Sequence, residues 1–329
     1  MFILDVQHES WPIAGSFSIS RGSRTSAEVV VVTLTDAQSG AKGMGECVPY
    51  ARYGETVEGV MSSLMGMKTE LRNGRLDRLL LQTAMAPGAA RNALDAAFWD
   101  LEAKSKGIPV WKLAGLDEPK SVVTAETISL DTPEKMAESA LSKQTRPLLK
   151  IKLGSEGAFE KVGAVRKACP NATLIVDANE ALPVSELQTT IQALADLGVD
   201  LVEQPLSAGE DDCLADMRFP IPLCADESSH TAADIPRLAK IYSMVNVKLD
   251  KTGGLTGGID MVRAAKTAGL DVMVGCMVGT SLSMAPAFML ASQAAYVDLD
   301  GPVILAKDRE YGLTFNNGLV SPPLSKLWG

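Results

Sequence analysis

Five residues recur along the chain at nearly even intervals. Lys152, Asp177, Glu203, Asp226 and Lys248 are separated by 25, 26, 23 and 22 positions. Each closes a short apolar run: Leu149-Lys150-Ile151-Lys152, Val176-Asp177, Val202-Glu203, Ala225-Asp226 and Asn246-Val247-Lys248. Three carboxylates brought to one level would present hard oxygen ligands, the set that suits a cation such as Mg²⁺. A lysine on each side of that cation would supply an acid and a base. A single acid at a strand end can do no more than cap the following helix, but capping does not predict the order Lys–Asp–Glu–Asp–Lys. The chain has two histidines, His8 and His230, so acid–base work falls to carboxylates or lysines. An ordinary lysine, with a pKa near 10.4, is a poor base at neutral pH; lowering it to about 7–8 corresponds to roughly 3–5 kcal/mol. Lys150 is two positions before Lys152 and shares its strand face at roughly 6–7 Å. Its like charge, with the nearby cation, is expected to push Lys152 that way.

A repeating βα unit would bring these residues together. From about Ser121 onward, short apolar runs alternate with stretches long enough for one helix: Val122–Ala125, Leu148–Ile151, Leu174–Val176, Leu201–Val202, Leu223–Ala225, Met244–Val247, Val272–Val274 and Ala294–Val297. Eight such runs predict an α/β fold, a closed parallel (β/α) barrel of the TIM type over residues 121–304, with its chemistry at the C-terminal rim. The alternative is an open doubly wound sheet, weakened because no G-x-G-x-x-G follows the first run. Residues 1–120 have a different texture. Val29–Leu34 is a β-branched run with a turn at Ser39-Gly40, and Leu94, Phe98 and Leu101 mark one face of a helix spanning about residues 90–104. Strands followed by helices predict a separate α+β unit.

The 329 residues suit two domains, and 46% hydrophobic with 22% charged residues describes a folded chain. A net charge of −9 lacks the basic footprint of a nucleic-acid binder. The five cysteines (47, 169, 213, 224 and 276) are odd in number and scattered, as expected of free thiols in a reducing compartment. Acids at Asp5 and Glu9 replace the basic start of a signal peptide. Val272–Val297 carries no charge, yet Gly275, Gly279, Ser281 and Pro286 break it, so a strand, a turn and a helix are expected there, not a membrane span. These features predict a cytoplasmic protein.

The same motifs resemble the enolase superfamily, in its muconate lactonizing subgroup, and within that the dipeptide epimerases acting on L-Ala-D/L-Glu. The resemblance covers nearly the whole chain. It is carried by Gly22-Ser-Arg-Thr-Ser26, Gly45-Glu-Cys-Val-Pro-Tyr50, Gly88-Ala-Ala-Arg-Asn-Ala-Leu-Asp95, Lys150-Ile-Lys152, Asp177-Ala-Asn-Glu180, Glu203-Gln-Pro205, Asp226-Glu-Ser228, Val245-Asn-Val-Lys-Leu-Asp-Lys-Thr-Gly-Gly254, Gly275-Cys-Met277 and Asp298-Leu-Asp300. It implies a modified barrel with an N-terminal α+β capping domain, 1–120, completed by 305–329. It further implies that Asp177, Glu203 and Asp226 bind Mg²⁺, that Lys152 and Lys248 are opposed acid–base catalysts, and that Lys150 tunes its neighbour. Lys248 matches the second catalyst better than Lys251.

By the same resemblance, Asp298 and Asp300 would hold the ammonium group of a dipeptide, Arg24 would meet its glutamate side chain, and Cys276 and Met277 would line the pocket. The plain competitors are a solvated loop charge at Arg24, a strand end at Asp298 and Asp300, and a small buried filler at Cys276. The implied reaction is Mg²⁺-dependent epimerisation of L-Ala-D-Glu to L-Ala-L-Glu in murein peptide recycling, by 1,1-proton transfer through an enediolate. Alternatives are o-succinylbenzoate synthase, a cycloisomerase of the same subgroup, or a non-catalytic cation-dependent binding protein. A small-molecule dipeptide is the implied partner, and a homo-oligomer is compatible with the class. Many relatives place Trp shortly after Asp-x-Asn, where this chain has Glu180-Ala-Leu182, so one wall of the pocket should differ. The loops 17–24 and 50–54 are the expected cover.

Overall fold

The structure is a computed structural model describing residues 1–329, the side chain of Ser16 excepted. The chain opens with an antiparallel sheet of β1 (Phe2–Ile19), β2 (Gly22–Asp36) and β3 (Lys42–Cys47). The four valines 29–32 are consecutive because each face of β2 meets a different core. Val30, Val32 and Leu34 pack into the cap with Leu94, Phe98 and Leu101, while Val29 and Val31 join the core that continues into the barrel. Strand alternation assigns neighbouring valines to opposite sides.

Helix Ala89–Lys106 is pressed against β3 and ends at Gly107, whose φ of 63° forms a left-handed cap. The approach to β3 is backbone to backbone. A Cβ at Gly45 would lie 2.1 Å from the Ala93 carbonyl oxygen, and one at Gly43 would lie 2.2 Å from that of Ala97.

After β4 (Val122–Val123) come eight parallel strands in sequence order: β5 (Glu126–Ile128), β6 (Leu148–Lys152), β7 (Thr173–Asp177), β8 (Val199–Glu203), β9 (Leu223–Ala225), β10 (Met244–Val247), β11 (Asp271–Val274) and β12 (Tyr296–Val297). They curl into a barrel whose seam is thin. Between β5 and β12 the Ala125 N–H donates to Val297 O at 2.8 Å, and Thr124 Oγ1 accepts from Leu299 N at 2.9 Å.

One expected element moves. Val122–Ala125 is not the first barrel strand: Val122–Val123 pairs with β14 (Leu319–Val320), which pairs in turn with β13 (Phe315–Asn316). The first barrel strand starts at the polar Glu126, four residues later than the β-branched run suggested. The uncharged stretch 272–297 resolves into β11, helix Ser281–Phe288 and β12, and no helix among the described residues is long and apolar enough to cross a membrane.

Inside the barrel, Leu148, Ile175, Leu201, Cys224, Met244 and Met273, one from each of six consecutive strands, form a buried layer with Ala125. Side chains two positions on point to the same face. Parity therefore stacks Lys150 and Lys152, Asp177, Glu203, Asp226, Asn246 and Lys248 above that layer, with Lys152 paired in register to Asp177 and Asp177 to Glu203. The C-terminal segment returns to the cap, where Trp328 is buried and donates its Nε1–H to Ala96 O at 3.0 Å.

The glycine contacts give a direct test. Gly45→Ala should lower unfolding stability by about 1–3 kcal/mol or more in urea titrations, because backbone on both sides must yield. Gly66→Ala, in open space at a helix end, should be neutral or slightly stabilising.

Candidate active site

Asp177, Glu203 and Asp226 are all buried, and one oxygen from each lies within 4.8 Å of the others. Their remaining contacts differ. Asp177 Oδ2 lies 2.5 Å from Lys152 Nζ and 3.1 Å from Lys150 Nζ, and Oδ1 accepts from Asn179 N at 3.0 Å. Asp226 Oδ2 accepts from Lys248 at 2.7 Å and Oδ1 from Lys251 at 2.5 Å. Glu203 Oε1 accepts from Asn246 Nδ2 at 2.8 Å; Oε2 lies 2.7 Å from Lys150 Nζ but in no hydrogen-bonding orientation.

Burial opposes charge on all three carboxylates. At Asp177 the Lys152 and Lys150 charges overcome it, and at Asp226 those of Lys248 and Lys251 do, so both stay well below the ordinary carboxylate range. Glu203 is pushed up to about 7 by burial and by Asp177. A buried oxygen without a hydrogen bond, within an all-carboxylate donor set short of positive charge at one member, fits a hard divalent cation.

The four lysines divide into two kinds. Lys152 and Lys248 line a cavity of about 400 Å³ above the carboxylates. Lys150 and Lys251 stand behind them. Lys251 donates to both the Asp226 carboxylate and its backbone oxygen, each at 2.5 Å, which fixes that side chain from the far side. Of Lys248 and Lys251, Lys248 is the lysine on the cavity lining. Burial pulls the Lys248 ammonium down, but Asp226 more than offsets it and holds it above the ordinary lysine value. At Lys150 burial is likewise outweighed, by Asp298, Glu203 and Asp177. Its charge is therefore compensated by carboxylates within 3.1 Å.

The cap roofs the cavity through Phe17, Ile19 and Arg21–Arg24, at the paired tip of β1 and β2 where the sequence predicts a loop, and through Tyr50–Tyr53; Cys276 and Met277 form part of the wall. Burial, then Asp298 and Asp300, raise the Cys276 thiol well above its ordinary value, which suits a filler and not a nucleophile. Asp298 and Asp300 are not on the lining. Asp298 Oδ2 lies 2.8 Å from Lys150 Nζ and its Oδ1 has no hydrogen-bond partner among the described residues; Asp300 accepts from Thr127 N at 2.7 Å. Burial and Asp298 push Asp300 up to about 7.

Several side chains at the site escaped the sequence reading. Asn246 orients Glu203, and Gly275 leaves it room, since a Cβ there would lie 2.5 Å from Asn246 Oδ1. Strand parity alone could have flagged Asn246. Arg21, Arg52, Glu180 and Glu227 pair across the roof, although both acids sit within quoted motifs. Asn179, Glu180 and Gln204 hold φ values of 44°, 69° and 34°, strain of about 1–3 kcal/mol each for residues with side chains.

The cap also secures the Lys248 loop. Arg91 donates to Thr252 O at 2.7 Å and Gly253 O at 3.1 Å, Asn92 donates to Asp250 at 2.9 Å, and Asp95 accepts from Thr256 N at 3.0 Å.

Residues 2–115 match the N-terminal domain of the mandelate racemase / muconate lactonizing enzyme family, and residues 134–324 match the enolase C-terminal domain-like family. The chain is 45% identical to the L-Ala-D/L-Glu epimerase of Escherichia coli (strain K12), covering 97% of this chain and 99% of that protein. It is 44% identical to the N-acetyl-D-glutamate racemase of Pseudoalteromonas sp, covering 92% and 95%. Its fold superposes with a TM-score of 0.97, at 46% identity and complete coverage of both chains, on an Agrobacterium tumefaciens enolase family member with homology to dipeptide epimerases, solved with sodium and L-Ala-L-Glu.

Calorimetric titration of the chelator-stripped protein with Mg²⁺ tests the carboxylate cluster. Asp226→Asn should abolish binding, and Lys251→Met, which frees Asp226 from behind, should weaken it by about 10–100-fold.

Proposed function

The chain belongs to the mandelate racemase / muconate lactonizing enzyme family of the enolase superfamily and is an isomerase, and we propose that it epimerises L-Ala-D-Glu to L-Ala-L-Glu. The observation that carries this reading is that Lys152 and Lys248 enter one cavity from strands on either side of the carboxylate cluster. Inversion at a carbon needs an acid and a base on opposite faces, and that arrangement supplies both. In this reading Asp177, Glu203 and Asp226 hold Mg²⁺, which when bound would offset the second negative charge that builds on the substrate carboxylate as the α-proton leaves. One lysine takes the α-proton, the electron pair left behind delocalises into the adjacent carboxylate, and the other lysine returns a proton to the opposite face. Lys150 and Lys251 keep Asp177, Glu203 and Asp226 in place and do not touch the substrate.

Substrate choice rests on the roof. Arg21 and Arg52 are paired with Glu180 and Glu227, whereas Arg24 has no acidic partner among the described residues and rests 5.4 Å from the centre of the Tyr50 ring. An unpaired guanidinium over the cavity favours a substrate with a second carboxylate. Asp298, with one free oxygen, would take the ammonium group of the dipeptide. Murein peptides in the cytoplasm are the proposed source.

A second reading, racemisation of an N-acylated glutamate, is favoured by one feature: Asp298 already engages Lys150 and stands off the cavity lining. Such a substrate carries the same two carboxylates and no ammonium.

Proton NMR in D₂O with Mg²⁺ separates the two. With L-Ala-L-Glu, deuterium should enter the glutamate α-position as the L,D diastereomer appears; exchange confined to N-acetyl-L-glutamate would select the second reading. Lys152→Ala and Lys248→Ala should each slow epimerisation by about 10²–10⁴-fold, leaving α-proton exchange only in the diastereomer facing the surviving lysine. Arg24→Met should reduce kcat/KM for L-Ala-L-Glu by about 10–100-fold, the worth of a charge-assisted pair, while sparing a dipeptide with an uncharged second residue.

A further inference from the structure

Both roof loops meet at one barrel side chain, Glu180. Glu180 stands three positions beyond Asp177, in the turn after β7, where it is 9% exposed. Arg52 donates to it in a parallel pair, Nε to Oε2 at 2.8 Å and Nη2 to Oε1 at 2.7 Å. Such bidentate pairing fixes geometry as well as charge. Arg21, from the other loop, reaches Glu180 Oε2 and the Asn179 carbonyl, both at 3.2 Å, and Glu227 Oε1 at 2.8 Å; it also donates to Tyr50 Oη at 3.2 Å. Ser20 adds a bond to the Asn179 carbonyl at 3.1 Å, and Ala208 N, from the loop after β8, donates to Glu180 Oε1 at 2.7 Å.

The backbone is bent to this purpose. Asn179 and Glu180 hold φ of 44° and 69°, a conformation that residues with side chains adopt when their surroundings enforce it. The turn presents the Asn179 carbonyl and the Glu180 carboxylate to the cap together; without it Arg52 loses its acidic partner and Arg21 keeps, of its acids, only Glu227.

We propose that Glu180 is a positioning residue, anchoring both roof loops over the cavity and engaging Arg21 and Arg52 so that Arg24 is the guanidinium left to meet the substrate. Its effect on turnover rests on the isomerase reading above; its effect on the loops does not.

The test uses the full chain with Glu180→Gln, Arg52→Met and the double variant. Each should raise KM for L-Ala-L-Glu by about tenfold or more, with a smaller change in kcat, as expected when binding geometry loosens and the lysines are untouched. Chymotrypsin should cleave faster at Phe17, Tyr50 or Tyr53 in each variant. The double variant should be no worse than Glu180→Gln alone, because that substitution already removes the partner of Arg52. Parental KM and cleavage in either single variant, or losses that multiply in the double, would overturn the proposal. If Glu180→Gln proves unstable by thermal melting, Arg52→Met, on a side chain 37% exposed, carries the same comparison. Cleavage needs no substrate, so a parental protein inert toward the dipeptide would sink the substrate assignment and leave the anchor tested.

Discussion

Three carboxylates and four lysines share the inside of the barrel rim, and none is more than 7% exposed. An isolated ion in such a place costs several kcal/mol even after relaxation. The cluster is tolerable because each charge is met by its opposite: Lys152 at Asp177, Lys248 and Lys251 at Asp226, and Lys150 among Asp298, Glu203 and Asp177. That compensation decides where the chemistry can be. The two lysines with a face on the cavity can act on a ligand, and the two behind are fully occupied in keeping the carboxylates ionised and oriented. Glu203, the carboxylate least well supplied, is the one whose burial and acidic neighbour push it toward neutrality.

The barrel makes such a cluster by repetition. A strand contributes every second residue to the inside, so an apolar inward layer fixes what stands above it. Leu148 sets Lys150 and Lys152, Ile175 sets Asp177, Leu201 sets Glu203, Cys224 sets Asp226, and Met244 sets Asn246 and Lys248. A shift of one residue in any ladder would turn a ligand outward. The hydrophobic layer and the polar cluster therefore specify each other.

The cap is built into the same constraint. Helix Ala89–Lys106 packs on β3 and reaches with Arg91, Asn92 and Asp95 into the loop that carries Lys248 and Lys251. Glycines 253 and 254 follow from that contact: at φ of 75° and 112°, a Cβ on either would strike Arg91 or Asp95. The other side of the cap supplies the roof, where Arg21 and Arg52 are paired with barrel acids and Arg24 is not.

Much of this was legible in the chain. The spacing of Lys152, Asp177, Glu203, Asp226 and Lys248 encodes a βα repeat, and the residue types encode a carboxylate cluster flanked by lysines, because both follow from local periodicity and chemistry. The four-valine run was legible as a strand, though not that its alternate residues serve two cores. The sequence could not reveal that Val122–Val123 pairs with the C-terminal hairpin, that Lys150 is compensated while Lys152 faces the cavity, or that Glu180 meets arginines 128 and 159 positions away. β-branched propensity is blind to partners far along the chain, and charge in a sequence carries no distance. Those matters are decided by which groups the closed fold brings within about 3 Å of one another, where burial makes pairing obligatory.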